Sequence, residues 1–226
     1  MFNFVKKARN VIYDYVYSPM FFKIIYFRDL KKIEKVYPDF DKLNRSEING
    51  LTLFYKEEKN VCGELSAEIV KIIDNRNHKP KDIFLDGDTR LIVPQFKKRF
   101  GFEKSNVITA GINDSFDYEW NFENDVPDNL SNQRFDLIIS QAMVEHLIDP
   151  YKHFNDLASL LNKNGYLIIH TVMPGYNYHR YPVDTLRFFP DWFEEVSKRL
   201  NLRIVKKFRR DFNVVYCFQK KSIISA

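Results

Sequence analysis

Two short stretches of the sequence gather residue types that could exchange protons or bind anions. Glu145 and His146 stand side by side, and His179, Asp184 and Arg187 follow further along the chain. A histidine can take a proton from a hydroxyl near neutral pH, because its ordinary pKa is about 6.5. An aspartate can act in the same way, and an arginine can bind a phosphate or carboxylate. These residue types predict proton removal from a hydroxyl beside a group that binds an anion.

Both stretches also have a structural interpretation. Glu145 and His146 can form a loop pair whose imidazole caps backbone groups or stacks on a bound molecule. Asp184 and Arg187 are spaced so that a salt bridge can lock their loop if the segment is helical. The sequence leaves the catalytic and the structural interpretation open for each stretch.

The elements that must position these residues alternate along the chain. Strands are predicted at 82–85, 107–110, 135–140 and 166–171, and helices at 94–100, 150–161 and 190–200. This alternation indicates βαβ units and therefore an α/β fold with a mostly parallel, doubly wound sheet. Ligands of such sheets bind beyond the carboxyl ends of the strands. The polar residues that follow 135–140 and 166–171 are therefore expected on one rim.

The two ends of the chain depart from this alternation. Strands predicted at 202–207 and 214–219 fit an antiparallel edge of the sheet. Residues 1–60 are predicted as a helical, aromatic extension, and residues 61–226 as the α/β domain, which begins with a helix at 64–74. The extension can lie on a membrane surface, or it can pack on the domain or on a second copy, and contact with another protein is also open. Peripheral membrane contact and an oligomer both stay open.

The charge is only mildly basic. The chain of 226 residues carries 35 basic and 30 acidic residues, a net charge of +5. Such an excess is compatible with anionic partners, yet it more often reflects a solvated surface. The basic run Lys206, Lys207, Arg209 and Arg210 stands between two predicted edge strands, where basic side chains commonly protect an exposed edge. Nucleic acid is therefore not the expected partner.

The spacing of the cysteines indicates whether a metal site is expected, and the apolar stretches indicate where the protein is expected to be located. Cys62 and Cys217 show no spacing typical of a metal site, so no metal is predicted. They are expected to be buried free thiols in a reducing compartment. Neither an apolar stretch of about 20 residues nor a signal-peptide pattern is present, so we expect a cytoplasmic protein.

One continuous stretch carries a family resemblance. From Phe135 it reads FDLIISQAMVEHLIDPYKHFNDLASLLNKNGYLIIHTVMP. An apolar strand is followed by Glu145 and His146, by Pro150 at a helix start, and by Gly165 in a turn before the next strand. In this order the stretch resembles the fourth strand, the helix and the fifth strand of class I S-adenosylmethionine-dependent methyltransferases. The stretch HRYPVDTLRFFP at 179–190 is similar to a pattern in members that act on sugars and cell-surface polysaccharides.

The resemblance implies a Rossmann-like methyltransferase fold, with S-adenosylmethionine as cofactor and a small molecule as acceptor. It points to an oxygen of a sugar or nucleotide-linked sugar in surface polysaccharide biosynthesis. His146, His179 and Asp184 are then expected to be catalytic. The residues expected to bind the acceptor are Glu145, Arg180 and Arg187.

The cofactor motif departs from the family pattern. In the family, a glycine-rich turn after the first strand lets the backbone approach the cofactor, and an acidic residue ends the second strand. Here Gly87 stands between Leu85 and Thr89, which occupy glycine positions, and Gly111 stands at the acidic position. The residues expected to bind the cofactor are Asp86, Gly87, Asp88, Gly111, Asn113 and Gln141.

These departures leave two functions open. The chain is an active methyltransferase with a non-standard cofactor site, or it is an inactive member of the fold that acts as a binding or assembly partner. Trp120 and Phe122 can flank an adenine or belong to the core. His170, at the end of a strand, is expected to be a buried histidine whose partners are backbone groups.

Overall fold

The computed structural model describes residues 35–36, 41–42, 79–174, 176, 182–210 and 212–221. Its strands are β1 Asp41–Lys42, β2 Asp82–Asp86, β3 Asn106–Gly111, β4 Tyr118–Glu119, β5 Phe135–Gln141, β6 Leu161–Val172, β7 Leu202–Arg210 and β8 Asn213–Lys220. Its α-helices are α1 Val93–Phe100, α2 Asp128–Ser131, α3 Pro150–Leu160 and α4 Pro190–Arg199, with 3-10 turns at Arg90–Ile92 and Val144–His146. The helices predicted at 94–100, 150–161 and 190–200 are confirmed. Several predicted features lie outside the described residues: the helices of the extension, the helix at 64–74, Cys62, His179 and Arg180.

The described strands form one sheet in the order β1-β7-β8-β6-β5-β2-β3-β4. The pairs β2–β3, β2–β5, β5–β6 and β3–β4 are parallel, whereas β8 is antiparallel to both β6 and β7. The mostly parallel sheet and its antiparallel carboxyl-terminal strands are therefore confirmed. β1 pairs in parallel with Phe208 and Arg209 of β7, so a part of the predicted extension adds to the sheet.

The central strands are buried on both faces because successive side chains point to opposite sides of a strand. Phe84 belongs to the cluster that contains Phe154 of α3 and Phe193 of α4. Its neighbours Ile83 and Leu85 belong to the opposite cluster, together with Phe96 of α1. Each such side chain contributes roughly 1.5–3 kcal/mol through burial. Helices on both faces make the sheet doubly wound, as predicted.

The helix α3 begins at a local signal in the sequence. The side chain of Asp149 accepts a hydrogen bond of 2.9 Å from the backbone N–H of Lys152, and Pro150 opens the helix. An aspartate cap satisfies an N–H group that has no partner inside the helix, and proline has no such group to leave unsatisfied. The buried face of α3 includes His153 and Phe154.

The tight turn predicted at 162–165 lies inside β6 instead. The pairing register between β5 and β6 shifts between Phe135 and Leu137, so residues 162–165 of β6 bulge out of the ladder. Asn164 adopts a φ of 63°, the left-handed conformation that asparagine tolerates better than most residues. The chain thus leaves α3 and enters the sheet without a separate loop.

The basic run on β7 is not an exposed edge, and that prediction is wrong for two of its members. Lys207 and Arg209 are both buried. The Nζ of Lys207 lies 2.8 Å from a carboxylate oxygen of Glu194 on α4, and the phenol of Tyr216 donates to the same oxygen. Lys207 therefore holds a helix against the sheet.

Two further findings concern the cysteine and membranes. Cys217 is buried in β8, as expected for this thiol. No helix in the described part of the chain is both long and apolar enough to cross a bilayer.

Candidate functional site

A cavity of about 300 Å³ opens at the carboxyl ends of β2, β3 and β5. This is the edge where open parallel sheets bind ligands, and the volume is at the lower end for small-molecule sites. The lining is mostly apolar with a few polar groups: Gly87, Gly111, Ile112, Asn113, Phe116, Asn121, Phe122, Glu123, Met143, His146, Leu147, Ile148, Pro182 and Val183.

The structure brings only some of the predicted site residues to this cavity. Gly87, Gly111, Asn113 and His146 line it, whereas Asp86, Asp88, Gln141, Glu145, Asp184 and Arg187 are not part of the lining. The site is thus assembled at the predicted edge of the sheet, but from a partly different set of side chains.

Gly87 makes the turn that ends β2 at the cavity. Its φ is +76°, and a Cβ on it would lie 2.7 Å from Cε of Met143. Its N–H donates to the carbonyl of Ala110 at 3.0 Å, which ties the turn to the end of β3. Because only glycine adopts this conformation without strain, the backbone itself forms part of the cavity wall.

At Gly111 a phenyl ring occupies the place of a side chain. A Cβ on Gly111 would clash with the ring of Phe116, which lines the same cavity. The loop that carries this ring is tied back to β3, because Asp117 accepts hydrogen bonds from the backbone N–H of Thr109 at 2.9 Å and from its hydroxyl at 3.0 Å. The acidic residue that the resemblance implies is thus absent here and also sterically excluded.

Restoring a carboxylate at this position is expected to destabilise the protein. Gly111→Asp forces the ring of Phe116 aside and should lower the free energy of unfolding by about 1–3 kcal/mol, as overpacking does. Adding Phe116→Ala removes the clash, so the double variant should unfold at higher urea concentration than Gly111→Asp alone. Equal midpoints for these two variants would contradict the steric interpretation.

His146 faces the cavity with its tautomer set by the backbone. Nδ1 forms a hydrogen bond with the carbonyl oxygen of Val183. A carbonyl oxygen can only accept, so Nδ1 carries the proton and the neutral ring has its lone pair on Nε2. The ring is 8% exposed, which keeps it within the wall of the cavity. The geometry provides a basic nitrogen in a fixed orientation.

The contacts of Glu145, next to His146, are those of a residue with a structural role. Its carboxylate is fully buried and accepts a hydrogen bond of 2.6 Å from the hydroxyl of Thr171. Its carbonyl oxygen accepts from the N–H groups of Thr185 and Leu186. Glu145 therefore anchors the segment 182–189 that forms one side of the cavity.

Asp184 and Arg187 form a bidentate ion pair within that segment. Both terminal nitrogens of the guanidinium contact the carboxylate, one of them at 2.6 Å. The hydrogen bond with Asp184 raises the pKa of Arg187 above its ordinary value. The carboxylate is 1% exposed. The loop-locking pair considered from the sequence is present, although the segment is not helical.

Beneath the cavity, Asp86 pairs with a residue that the sequence analysis did not single out. Its Oδ2 lies 2.7 Å from Nε2 of His153 on α3, and both side chains are fully buried. The imidazole packs against both Phe122 and Trp120, with ring centroids at 4.6 and 5.4 Å. Trp120 belongs to the core, whereas Phe122 belongs to the core and also reaches the cavity.

Two other residues of the cavity were missed. Glu123 lines it and accepts hydrogen bonds from the N–H groups of Ile148, at 2.6 Å, and Asp149, at 3.3 Å. Phe116 stands against Gly111. The sequence feature that could have indicated Glu123 is its place just after β4. A strand of two residues, however, has no recognisable periodicity.

His170 is buried as expected, but its partner is a side chain. Its Nε2 lies 3.0 Å from Oδ1 of Asn213 on β8. Burial lowers the pKa of His170 below its ordinary value, and the charge of Glu145 and the hydrogen bond with Asn213 offset this in part. The neutral ring is therefore the form that the fold favours.

This burial predicts a pH dependence of stability. Because the folded pKa is lowered, the stabilisation is present above the ordinary histidine pKa of about 6.5 and is lost as the pH falls through the folded pKa. The free energy of unfolding should fall below pH 6.5 with a slope of at most about 1.4 kcal/mol per pH unit from this residue. Urea unfolding of the wild type and of His170→Gln as a function of pH measures this slope. An identical slope in both proteins would contradict the assignment.

Among the described residues, no group of three or more His, Cys, Asp or Glu side chains is placed to hold a metal ion.

Comparisons with known proteins identify a family from the sequence and a shared fold from the structure. Residues 73–213 match a family model described as a methyltransferase domain. No curated protein matches the sequence significantly. Among solved structures, an O-methyltransferase family protein from Burkholderia thailandensis superposes with a TM-score of 0.53 and 13% identity, covering 71% of this chain. This chain spans only 57% of that protein's length.

Two further structures give the same result. The 1,6-didemethyltoxoflavin-N1-methyltransferase from Burkholderia thailandensis, with 1,6-didemethyltoxoflavin and S-adenosylhomocysteine bound, has a TM-score of 0.53 and 11% identity over 70% of this chain and 78% of its own. An S-adenosylmethionine-dependent methyltransferase from Clostridium acetobutylicum ATCC 824 has a TM-score of 0.53 and 12% identity over 77% of this chain and 99% of its own. At these identities the likeness shows the fold.

Proposed function

The chain belongs to the family of methyltransferase domains, and from this membership we propose that it transfers a methyl group from S-adenosylmethionine to an oxygen of a small acceptor. We further propose that the acceptor is a sugar or a nucleotide-linked sugar used in surface polysaccharide biosynthesis. The observation that carries the proposal is His146, whose tautomer is set by Val183 at the wall of the cavity.

The residues of the cavity suit a nucleoside-type cofactor, although the hydrogen-bond acceptor for the ribose differs from the family pattern. The turn at Gly87 lets the backbone approach a ligand, and Phe122 and Ile148 provide apolar walls. Because Phe116 fills the space at Gly111, we propose that the carboxylate of Glu123 accepts the hydrogen bonds of the ribose hydroxyls. Each of its oxygens accepts one backbone hydrogen bond and has a further lone pair. When bound, the cofactor supplies a methyl group on a positively charged sulfur.

His146 is proposed to remove the proton from the acceptor hydroxyl. The neutral Nε2 is the basic atom, and the hydrogen bond from Nδ1 to Val183 keeps the ring in place while the proton moves. A positioned base of this kind typically contributes about 10²–10⁴ in rate. Glu145 supports this arrangement by holding the segment that carries Val183.

The other predicted roles stay predictions. His179, Asp184, Arg180 and Arg187 are proposed to bind or activate the acceptor, whereas the predicted contact of Glu145 with the acceptor is not retained, because its carboxylate is fully buried on Thr171. We also propose a cytoplasmic location, contacts of the amino-terminal extension with a membrane surface or a protein, and an oligomer.

Titration with S-adenosylmethionine and S-adenosylhomocysteine tests the proposal. A ligand at about 100 times its dissociation constant should stabilise the protein by about 2.7 kcal/mol, because it binds only the folded chain. Calorimetry and thermal unfolding both report the effect. Gly87→Ala should weaken binding, since its Cβ crowds Met143, whereas Leu91→Ala, at an exposed position outside the lining, is the control. The enzyme proposal fails if neither ligand binds at millimolar concentration.

A second function has support from the same site. Phe116 fills the space beside Gly111, and the carboxylate of Asp86 is buried on His153 instead of facing the cavity. These observations favour an inactive member of the fold that acts as a binding or assembly partner. The titration distinguishes the two, because the inactive protein binds neither ligand.

A further inference from the structure

A second cavity lies between the segment 182–189, the start of α3 and the helix α4. Its volume is about 720 Å³. We call it the α4 groove and define it by six of its lining residues: Tyr151, Leu186, Phe189, Trp192, Glu195 and Arg199. None of these residues lines the cavity of His146.

Aromatic rings give the groove a firm apolar wall. Tyr151 is 40% and Phe189 is 44% exposed. Trp192 is held edge-on by Phe154 and Phe188, with ring centroids at 5.7 and 4.9 Å. Rings that are fixed before binding lose little conformational freedom when a ligand packs on them. Exposed large apolar side chains that cluster in a concave surface indicate a contact site.

The charged groups of the groove balance one another. Arg199 lies 3.3 Å from the carboxylate of Glu195, and Arg187 is paired with Asp184. The remaining charged residue of the lining is Asp191. The groove therefore carries no excess of positive charge that would attract a phosphate or a nucleotide. It presents instead carboxylates that accept hydrogen bonds and a guanidinium that donates them.

We propose that the α4 groove binds a neutral hexose ring, the carbohydrate part of the acceptor. A pyranose has an apolar face of C–H groups that packs on aromatic rings, and a rim of hydroxyls that both donate and accept hydrogen bonds. The groove has the matching surfaces in Tyr151, Phe189 and Trp192 and in the pair Glu195 and Arg199. The inference rests on the proposed function only in naming the sugar as the methyl acceptor.

The groove and the cavity of His146 share one anchored wall. Pro182 and Val183 line the cavity, whereas Leu186 and Phe189 of the same segment line the groove. The hydroxyl of Thr185, between them, donates to the carbonyls of Glu145 and Leu147. A sugar in the groove is thus held against the same segment that forms one wall of the cavity of His146.

Sugar binding can be measured without any cofactor. The probes are methyl glycosides of glucose, galactose, mannose and N-acetylglucosamine at about 10 mM, a concentration suited to weak binding. Saturation-transfer NMR should show contact with at least one of them, and the same sugar should change the fluorescence of Trp192. Tyr151→Ser and Phe189→Ser should each weaken binding at least about tenfold. Leu91→Ser, which exchanges an exposed apolar residue outside the groove, should bind as the wild type does.

Several results would overturn the inference. One is the absence of saturation transfer from all the glycosides, and another is equal binding by the groove variants and the Leu91 control. A third is a dimer of the wild type that Phe189→Ser dissociates, which would make the groove an interface between copies. If the protein binds a sugar but not S-adenosylhomocysteine, the proposal for the groove stands and the proposal of methyl transfer fails. The failure of one proposal can therefore be told apart from the failure of the other.

Discussion

Replacing His146 with asparagine is expected to lower turnover by about 10²–10⁴, the range for a lost general base. The amide nitrogen of asparagine takes the place of Nδ1 and can still donate to the carbonyl of Val183. The variant therefore keeps the hydrogen bond to Val183 and removes the rest of the ring, including the basic Nε2. Turnover is followed as formation of S-adenosylhomocysteine with the acceptor that gives the highest rate.

Two readouts separate a base from a structural residue. The wild-type rate should fall as the pH is lowered, because a protonated imidazole cannot accept the hydroxyl proton, and His146→Asn should lack this acidic limb. Affinity for S-adenosylhomocysteine should stay within about threefold of the wild type, because Gly87, Phe122, Glu123 and Ile148, to which the cofactor contacts are assigned, are unchanged. An unchanged rate, or an unchanged pH profile with a lower rate, would remove the proposed role.

Breaking the buried pair of Asp86 and His153 is expected to cost about 3–5 kcal/mol of unfolding free energy. The two side chains meet at 2.7 Å with no exposure to solvent. His153→Leu leaves a buried carboxylate alone, and Asp86→Leu leaves a buried imidazole alone, so each single variant should unfold at much lower urea concentration. The double variant should lose less than the sum, because no polar partner is left behind.

The matched control for this cycle is the pair of Lys152 and Asp156 on α3. The Nζ of Lys152 and a carboxylate oxygen of Asp156 also lie close together, 2.8 Å apart, but the lysine side chain is 28% exposed. Asp156→Ala should therefore cost no more than about 1 kcal/mol. If the losses of Asp86→Leu and His153→Leu simply add in the double variant, the two residues are not coupled.

The order of the longer elements of the α/β domain followed from local patterns in the sequence, whereas β1, β4 and α2, which have only two to four residues each, were not predicted. Apolar runs at 137–139 and 167–169 are typical of strands buried on both faces, and Asp149 with Pro150 marks the start of α3. The resemblance placed His146 just after β5, at the edge where the cavity opens. Such features depend on neighbours within a few residues, and so one sequence was sufficient to predict them.

The assignment of side chains to the cavity depended on contacts between distant residues. Asp86 and Gly87 are adjacent, yet one pairs with His153, 67 residues away, and the other lines the cavity. In the same way Lys207 belongs to the interior because Glu194 of α4 faces it. At Gly111 the ring of Phe116 fills the space that a carboxylate would need. A polar side chain is buried only where the packing of other elements provides its partner, and that pairing exists only once strands and helices have come together in space.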